Sequence, residues 1–406
     1  MSTLKVDAIR HNSATSDAIT TAADGTCTAK LTSINGGSQL SHRNIVINGD
    51  MRVAQRSVGP VAVSDGSNEN YQTIDRMRFS FGNSAAGACN ISQSTDAPTT
   101  LGFTKSHKVD VTTVNTTASG QQVIQLFYRI EGQDLRNSGW NHLSSSSFLT
   151  LSFYFKTTKT GTSKLPIMFR TRHGTNYYYV KNVTVTDPTN WNRYTVTIPG
   201  NSNIQIDDAI TTGMDINFTY YSGPDKDTSS EGSWGSTNAY STSDSTNYFD
   251  STSNDMFITG IQLEVGDTAT SFEHRSYEEV LSRCQRYYYM HHNTSKTGTE
   301  GNYRVACLGF ASQATEVTGH IFFPVTMRAN PSIDANSGVV GGIGYWRIGG
   351  GSFGGDKYID GAWSVASPTT RSTRIYATPR TSLSQGVCGY IDGRNTASYM
   401  AFSAEL

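Results

Sequence analysis

The chain has 406 residues, 32 basic against 33 acidic side chains, a formal net charge of −1 and only 16% charged residues, against roughly 25% in an ordinary soluble domain. With no basic field to neutralise phosphates, nucleic acid is not an expected partner, and with no apolar run near the ~18 residues of a span, no membrane insertion is expected. The length allows two or three domains at roughly 100–200 residues each, and the start Met1–Asp7 lacks the basic and apolar regions of a secretory signal, so synthesis in a cytoplasm is expected.

Ser and Thr fill 99 positions and Gly another 38, and Tyr and Phe supply 21 and 17. Ser, Thr, Gly, Tyr and Asn are mediocre helix formers, whereas Thr, Tyr, Phe and Val suit pleated surfaces. The composition therefore predicts an all-β chain. Residues 1–42 carry short apolar alternations and read as a strand, a turn at Asp24-Gly25 and another strand between Thr20 and Thr32. So short a segment holds too little apolar mass to fold alone. It needs the rest of the chain, or copies of itself wound together.

Residues 43–275 carry the clearest strand signals. In 149–156, LTLSFYFK, the odd positions are apolar and the even ones polar or amphipathic, the period of a half-buried strand. Ile124 to Ile130, Tyr194 to Ile198 and Ile216 to Tyr220 alternate likewise. Further strands are expected at Ile45–Ile47, Met77–Phe81, Val109–Val114, Ile167–Arg172 and Tyr177–Val185. About ten short strands with turn-rich links and no intervening helix predict an antiparallel β-sandwich or jelly roll. The stretch from Ser222 to Asp255 is low in complexity. It reads as a solvated surface excursion or a ligand-contacting loop.

Ser276 followed by Glu279 matches a capping box, and Val280, Leu281 and Cys284 share a helical face. A short connector helix is expected over 276–289. Residues 290–406 read as a second β-sandwich, with strands at Arg304–Phe310, His320–Thr326, Arg374–Thr378 and Ser398–Ser403. Within it, Gly338 to Gly355 is a glycine-rich insert that would present Tyr345 and Trp346.

Chemistry-bearing patterns are sparse. The five cysteines are odd in number and include no Cys-x-x-Cys pair, which points to small buried hydrophobes rather than disulfides or zinc. Gly350-Gly351-Ser352-Phe353-Gly354 has the letters of a nucleophile elbow, but every histidine precedes it, so the required order fails. His291 and His292 are adjacent and point opposite ways on a strand, so they read as a surface pair. Asp207, Asp208, Asp225, Asp227 and Glu231 lie on loops, which gives no sign of the facing carboxylates of a glycosidase. No catalytic residue and no cofactor is expected. Aromatics beside neutral polar groups remain, since sugars stack on Trp and Tyr. The glycan-contact candidates are Trp346, Tyr345, Trp363, Trp234 and Trp140. Tyr177, Tyr178 and Tyr179 come next, and Trp191 reads as core.

The stretch Asn44 to Arg56, NIVINGDMRVAQR, resembles the opening of the jelly-roll domain of bacteriophage tail-fibre and receptor-binding proteins. Ile258 to Glu273, ITGIQLEVGDTATSFE, resembles its closing strand, and Tyr277 to Tyr288 the helix that follows. Phe323 to Pro331 and the ending Phe402 to Leu406 are similar to elements of the terminal fibre domain, and residues 3–10 to the start of several phage virion proteins. The resemblance implies a virion appendage made in the host cytoplasm, a homotrimer whose N-terminal segment docks on phage tail proteins. It implies adsorption to a host surface polysaccharide or outer-membrane protein, and a domain similar to carbohydrate-binding modules. Such modules often hold a structural calcium near the first strand, which would involve Asp50. A purely structural virion adaptor and a glycan depolymerase on the same scaffold are the competing expectations.

Overall fold

The computed structural model describes residues 6, 8–10, 19–21, 27–29, 42–67, 69–115, 120–293, 304–340, 343–350, 357–394 and 398–406. It is nearly all β, as the composition predicts. Near the N-terminus, Ala8–Ile9, Ile19–Thr21 and Cys27–Ala29 form a three-stranded antiparallel sheet, with Thr21 opposite Cys27. The expected turn at Asp24-Gly25 lies outside the described residues.

Two six-stranded antiparallel sheets make the first β-sandwich. The first runs Trp234–Gly235, Tyr178–Val185, Ser163–Thr171, Thr212–Ser222, Val123–Glu131, Arg78–Gly82. The second runs Asn192–Pro199, Phe148–Thr157, Asp255–Val265, Ser106–Thr113, Ala88–Ser94, Val61–Ser64. The chain passes repeatedly from one sheet to the other, the winding of a jelly roll. Period-two alternation supplies the core: Leu149, Leu151, Phe153 and Phe155 face Ile216, Phe218, Leu165 and Ile167 across the layers. Phe153 meets Phe218 edge-on at 5.1 Å.

The stretches 44–56 and 258–273 are bonded to each other. Ile45 N–H donates to Leu263 O and Ile261 N–H to Gly49 O, both at 2.9 Å. Asn44 Nδ2 donates to Ile261 O, and its Oδ1 accepts from Val46 and Leu263 N–H. A side chain at Gly49 would sit 2.0 Å from Ile261 O, so that position admits only hydrogen. The expected strand at Ile45–Ile47 is instead a run of turns. Asn48 and Met51 take left-handed backbone there, with φ of 61° and 59°, which breaks regular pairing.

The helix is Tyr277–Gln285, and the Ser276 hydroxyl accepts from Glu279 N–H at 3.2 Å, the expected cap. It is more than a connector, because Val280, Cys284 and the following Tyr287 belong to the first core. The second β unit combines a three-stranded sheet, Tyr288–Asn293, Tyr399–Ser403, Ser332–Ala335, with a seven-stranded one. The latter runs Lys357–Ile359, Trp346–Gly349, Cys388–Gly393, Arg304–Gln313, Glu316–Phe322, Ser372–Ala377, Ser364–Ala366. The described part of the glycine-rich insert is largely strand: Trp346–Gly349 pairs on both sides, and Val339–Val340 pairs with Ile343–Gly344. Cys89 and Cys284 are buried as expected, but Cys388 is exposed.

The two units meet around Glu405. Its carboxylate takes Arg76 Nη1 and Arg56 Nη2. Arg76 lies 3.5 Å from the centre of the Tyr287 ring and Arg56 the same distance from that of Tyr288. Arg286 and the Tyr287 hydroxyl converge on the fully buried Glu131. Removing one partner of a buried pair leaves a charge unmatched. Arg76→Ala should therefore lower unfolding free energy by about 3–5 kcal/mol, read from urea denaturation.

His107 faces the core beside Phe79, ring planes 13° apart, and burial pushes its imidazole down from 6.5 to about 3. Below 6.5 the unfolded chain takes up a proton that the folded one refuses. Stability should fall as pH drops from 6.5 toward 3, with a slope approaching about 1.4 kcal/mol per pH unit. The difference between wild-type and His107→Leu urea midpoints across that range isolates this contribution; parallel curves would count against it.

Candidate functional site

The outer side of the first sheet is not uniformly polar. Val123, Met168, Tyr178 and Val180 point away from the main core and form a second small cluster with Ala239 and Tyr240. This corrects the expectation of a solvated excursion at Ser222–Asp255. The segment folds over the sheet because the sheet offers it apolar surface. Ala239, Tyr240, Tyr248 and Phe249 are buried beneath it. Trp234–Gly235 adds an edge strand opposite Tyr178 and Tyr179. Tyr248 N–H donates to Tyr220 O and Thr246 N–H to Lys164 O, stitching the cover to the strands.

Between cover and sheet lies a pocket of about 240 Å³. Its floor is Thr219 and Tyr221 from one strand and Pro166 from the next, and its far wall is Asp227 and the run Thr242 to Asn247. Hydroxyls, an amide and one carboxylate dominate this lining. The wall is braced from behind. Asn182 Nδ2 donates to Thr242 Oγ1 at 2.6 Å, and Thr242 Oγ1 donates to Asp244 Oδ1 at 2.6 Å. Thr242 N–H donates to Ser245 Oγ at 3.0 Å, and Lys164 pairs with Asp244. Ser241 Oγ donates to Asp227 Oδ1 at 2.6 Å. Burial raises the Asp227 carboxyl above its usual range, and Asp244 adds to this against the hydrogen bond from Ser241. Burial likewise raises the Tyr221 phenol. The Thr219 hydroxyl, at the floor, is buried and has no hydrogen-bond partner. Such a site offers acceptors and donors to a neutral polyhydroxylated molecule, with Tyr221 supplying an apolar ring.

Along the same outer face stands a charged row. Asp215, wholly buried, receives Arg170 and Arg172 on one oxygen and lies 3.6 Å from Arg129 on the other. Arg170 Nη1 also donates to the Tyr240 hydroxyl at 3.3 Å. This row ties three strands together, and its charges are engaged with one another.

The structure does not gather the aromatic candidates into one site. Trp346, expected on an exposed loop, is a strand residue with 0% exposure. It packs edge-on against Trp363 at 5.8 Å and donates from Nε1 to Asn336 O. Trp363 and Trp140 are buried at 6% and 4% exposure. Tyr345 is half-buried against the second core. Trp234 is half-buried, 5.4 Å from Tyr179, its Nε1 donating to Pro199 O. The reason is common to all five: a large apolar ring gains more by filling a sandwich than by display. Trp191, read as core, is instead half-buried on the outside of the second sheet. Its Nε1 donates to Asp96 at 3.0 Å and Lys156 lies over its ring.

Asp50 is paired with Arg52, which also donates to Arg275 O. No group of three or more His, Cys, Asp or Glu suited to a metal occurs among the described residues. His291 is partly buried, with Nε2 2.7 Å from Ala306 O. Of the loop acids, Asp207 faces His173 and Glu231 faces Lys181, while Asp225 accepts from Gln121. Of the elbow-like Gly350–Gly354 run, all but Gly350 lies outside the described residues. No described helix is long and apolar enough to cross a membrane. Thr219 and Tyr221 were missed. The alternation that sends Ile216, Phe218 and Tyr220 inward also sends Asn217 and Thr219 outward, whereas Tyr221 follows a register shift that sets it opposite Ile124, so its place in the lining is not readable from the period.

No family model and no curated relative matches the sequence. Among solved structures, the chain is similar to the enzymatically active domain of bacteriophage CBA120 tailspike protein 4, with 14% identity and a TM-score of 0.28, over 55% of this chain and 22% of that one. It is also similar to a module described as CBM4, with 10% identity and a TM-score of 0.28, over 54% and 98%. A family 11 carbohydrate-binding module from Clostridium thermocellum matches at 12% identity and a TM-score of 0.26, over 51% and 95%.

Replacing Trp346 should therefore act on stability. Trp346→Ala is expected to cost about 3–5 kcal/mol in denaturant unfolding, read from the shift of its midpoint.

Proposed function

We propose that this chain is a non-enzymatic bacteriophage tail-fibre or appendage protein that binds a host-surface glycan. Its pocket over the first sheet is the contact. The observation that carries the reading is the pocket itself: a braced wall of hydroxyls and the Asp227 carboxyl facing Tyr221, with the Thr219 hydroxyl buried and unpartnered at its floor. Neutral sugar hydroxyls match such a lining, and the near-zero net charge leaves little role for long-range steering. Single-site sugar contacts of this kind are weak. A homotrimer with its N-terminal segment on the tail would repeat them threefold, and effective concentration would raise avidity by about 10²–10⁴. The resemblance of residues 44–56 and 258–288 to tail-fibre elements supports the appendage role.

Titration of the purified chain with host surface polysaccharide tests this. Binding is expected, with the polymer's length unchanged after incubation. Tyr221→Ala should weaken it at least about tenfold, equivalent to ~1.4 kcal/mol. Thr219→Val should weaken it several-fold while leaving the melting temperature equal or slightly higher, since a buried hydroxyl without a partner is removed. Absence of binding to any host glycan would end the reading. Shortening of the polymer would instead make the chain a depolymerase.

A further inference from the structure

The seven-stranded sheet of the second unit is apolar on both sides. Inward it presents Ile321, Ile375 and Ile391, all at 1% exposure or less. Alternation then sends their neighbours outward; His320, Arg374 and Asp392 among them are polar, but Phe322 and Tyr390 are large aromatic rings, and Leu308 and Phe310 share their face. Leu308 and Phe322 are 71% and 74% exposed, Tyr390 50% and Phe310 44%. Register brings them together. Leu308 lies opposite Tyr390 and Phe310 opposite Cys388. His320 follows Gly319, which pairs with Gly309, and its ring stacks edge-on to Phe322 at 4.6 Å. The result is a groove of about 540 Å³ walled by Leu308, Phe310, His320, Arg374 and Tyr390, with no carboxylate in its lining.

An antiparallel sheet with one wet face alternates apolar inward and polar outward. Apolar residues on both faces are the pattern of a sheet covered on both. The first sheet solves the same problem within the chain, through Ala239 and Tyr240. At roughly 150–250 Å² per whole aromatic side chain, Leu308, Phe310, Phe322 and Tyr390 leave on the order of 500 Å² open. That is near the upper end of the largest patch on a typical monomer, about 300–600 Å². It is also well over half of the ~800 Å² that one partner gives to a stable interface.

We infer that this outer face is a permanent interface between copies of this chain. Covering it would remove that apolar area from water, and another copy of the chain is present to do so from the moment of synthesis. A host receptor is met only at adsorption. The groove's makeup also fits: aromatic and aliphatic groups, with Arg374 as its one guanidinium and no carboxylate, match the charge-poor centre of an interface. A net charge of −1 opposes no approach of like chains. The inference rests on the trimeric reading above and gives it a surface; it is independent of the glycan pocket.

Sedimentation velocity of the full chain at micromolar concentration tests it. Wild type should sediment as a multiple of 44.2 kDa. Leu308→Lys with Phe322→Lys should sediment at the mass of one chain, with an unchanged far-UV circular dichroism spectrum and glycan binding retained at lower apparent affinity. A wild-type mass of one chain would overturn both the trimer and this interface. A variant that keeps the wild-type mass would overturn the interface alone. Should the double variant fail to fold, maleimide labelling of wild type decides: Cys388, exposed beside the groove of the single chain, is expected to be protected in the oligomer and to react once it is dissociated. An oligomer in which Cys388 reacts freely would refute the assignment.

Discussion

Glu405 is the point on which the arrangement of the two units depends. A carboxylate 8% exposed is matched by a guanidinium, that of Arg76, at 1%, so neither ion is free to seek water. Each flanking arginine is also laid on a tyrosine, Arg76 on Tyr287 and Arg56 on Tyr288. Tyr287 lies in the turn that ends the helix and Tyr288 begins the next strand, so one short stretch braces both arginines. The Coulombic gain of such a pair is largely offset by desolvation. Its value lies in direction: only one placement of the last strand satisfies both arginines. Arg76 itself sits at φ 70°, a left-handed conformation that such surroundings hold in place.

The same logic of covered surface explains the pocket. Tyr240 and Ala239 dock on outward apolar residues of the first sheet, and their docking lifts the Thr242–Asn247 run into a wall. Polar contacts then fix it, through Asn182, Lys164 and Ser241. The pocket is thus a consequence of covering the sheet with a chain too polar to fill every gap. A segment rich in Ser and Thr leaves hydroxyls where a more apolar cover would leave none.

Much of the fold was legible. Period-two runs such as 149–155 set strand, face and layer, and Ser276 with Glu279 marked the helix start. What was hidden depends on tertiary context. Ile45 to Ile47 alternates like a strand, yet Asn48 and Gly49 bend it onto the closing strand. Trp346 sits among glycines that suggest a loop, but its ring fills the gap beside Trp363. The low complexity of Ser222 to Asp255 concealed that four of its apolar residues are buried. The outward faces were the least legible. Leu308 and Phe310 read only as members of a strand, since the sequence does not say which side of a sheet meets water.

The pairing of Tyr288 with Ser403 places the entry to and exit from the second unit side by side. A unit whose two ends are adjacent can be cut out and another put in its place without stretching what remains. The first sandwich, the helix and the Arg56–Arg76 clasp then form a socket.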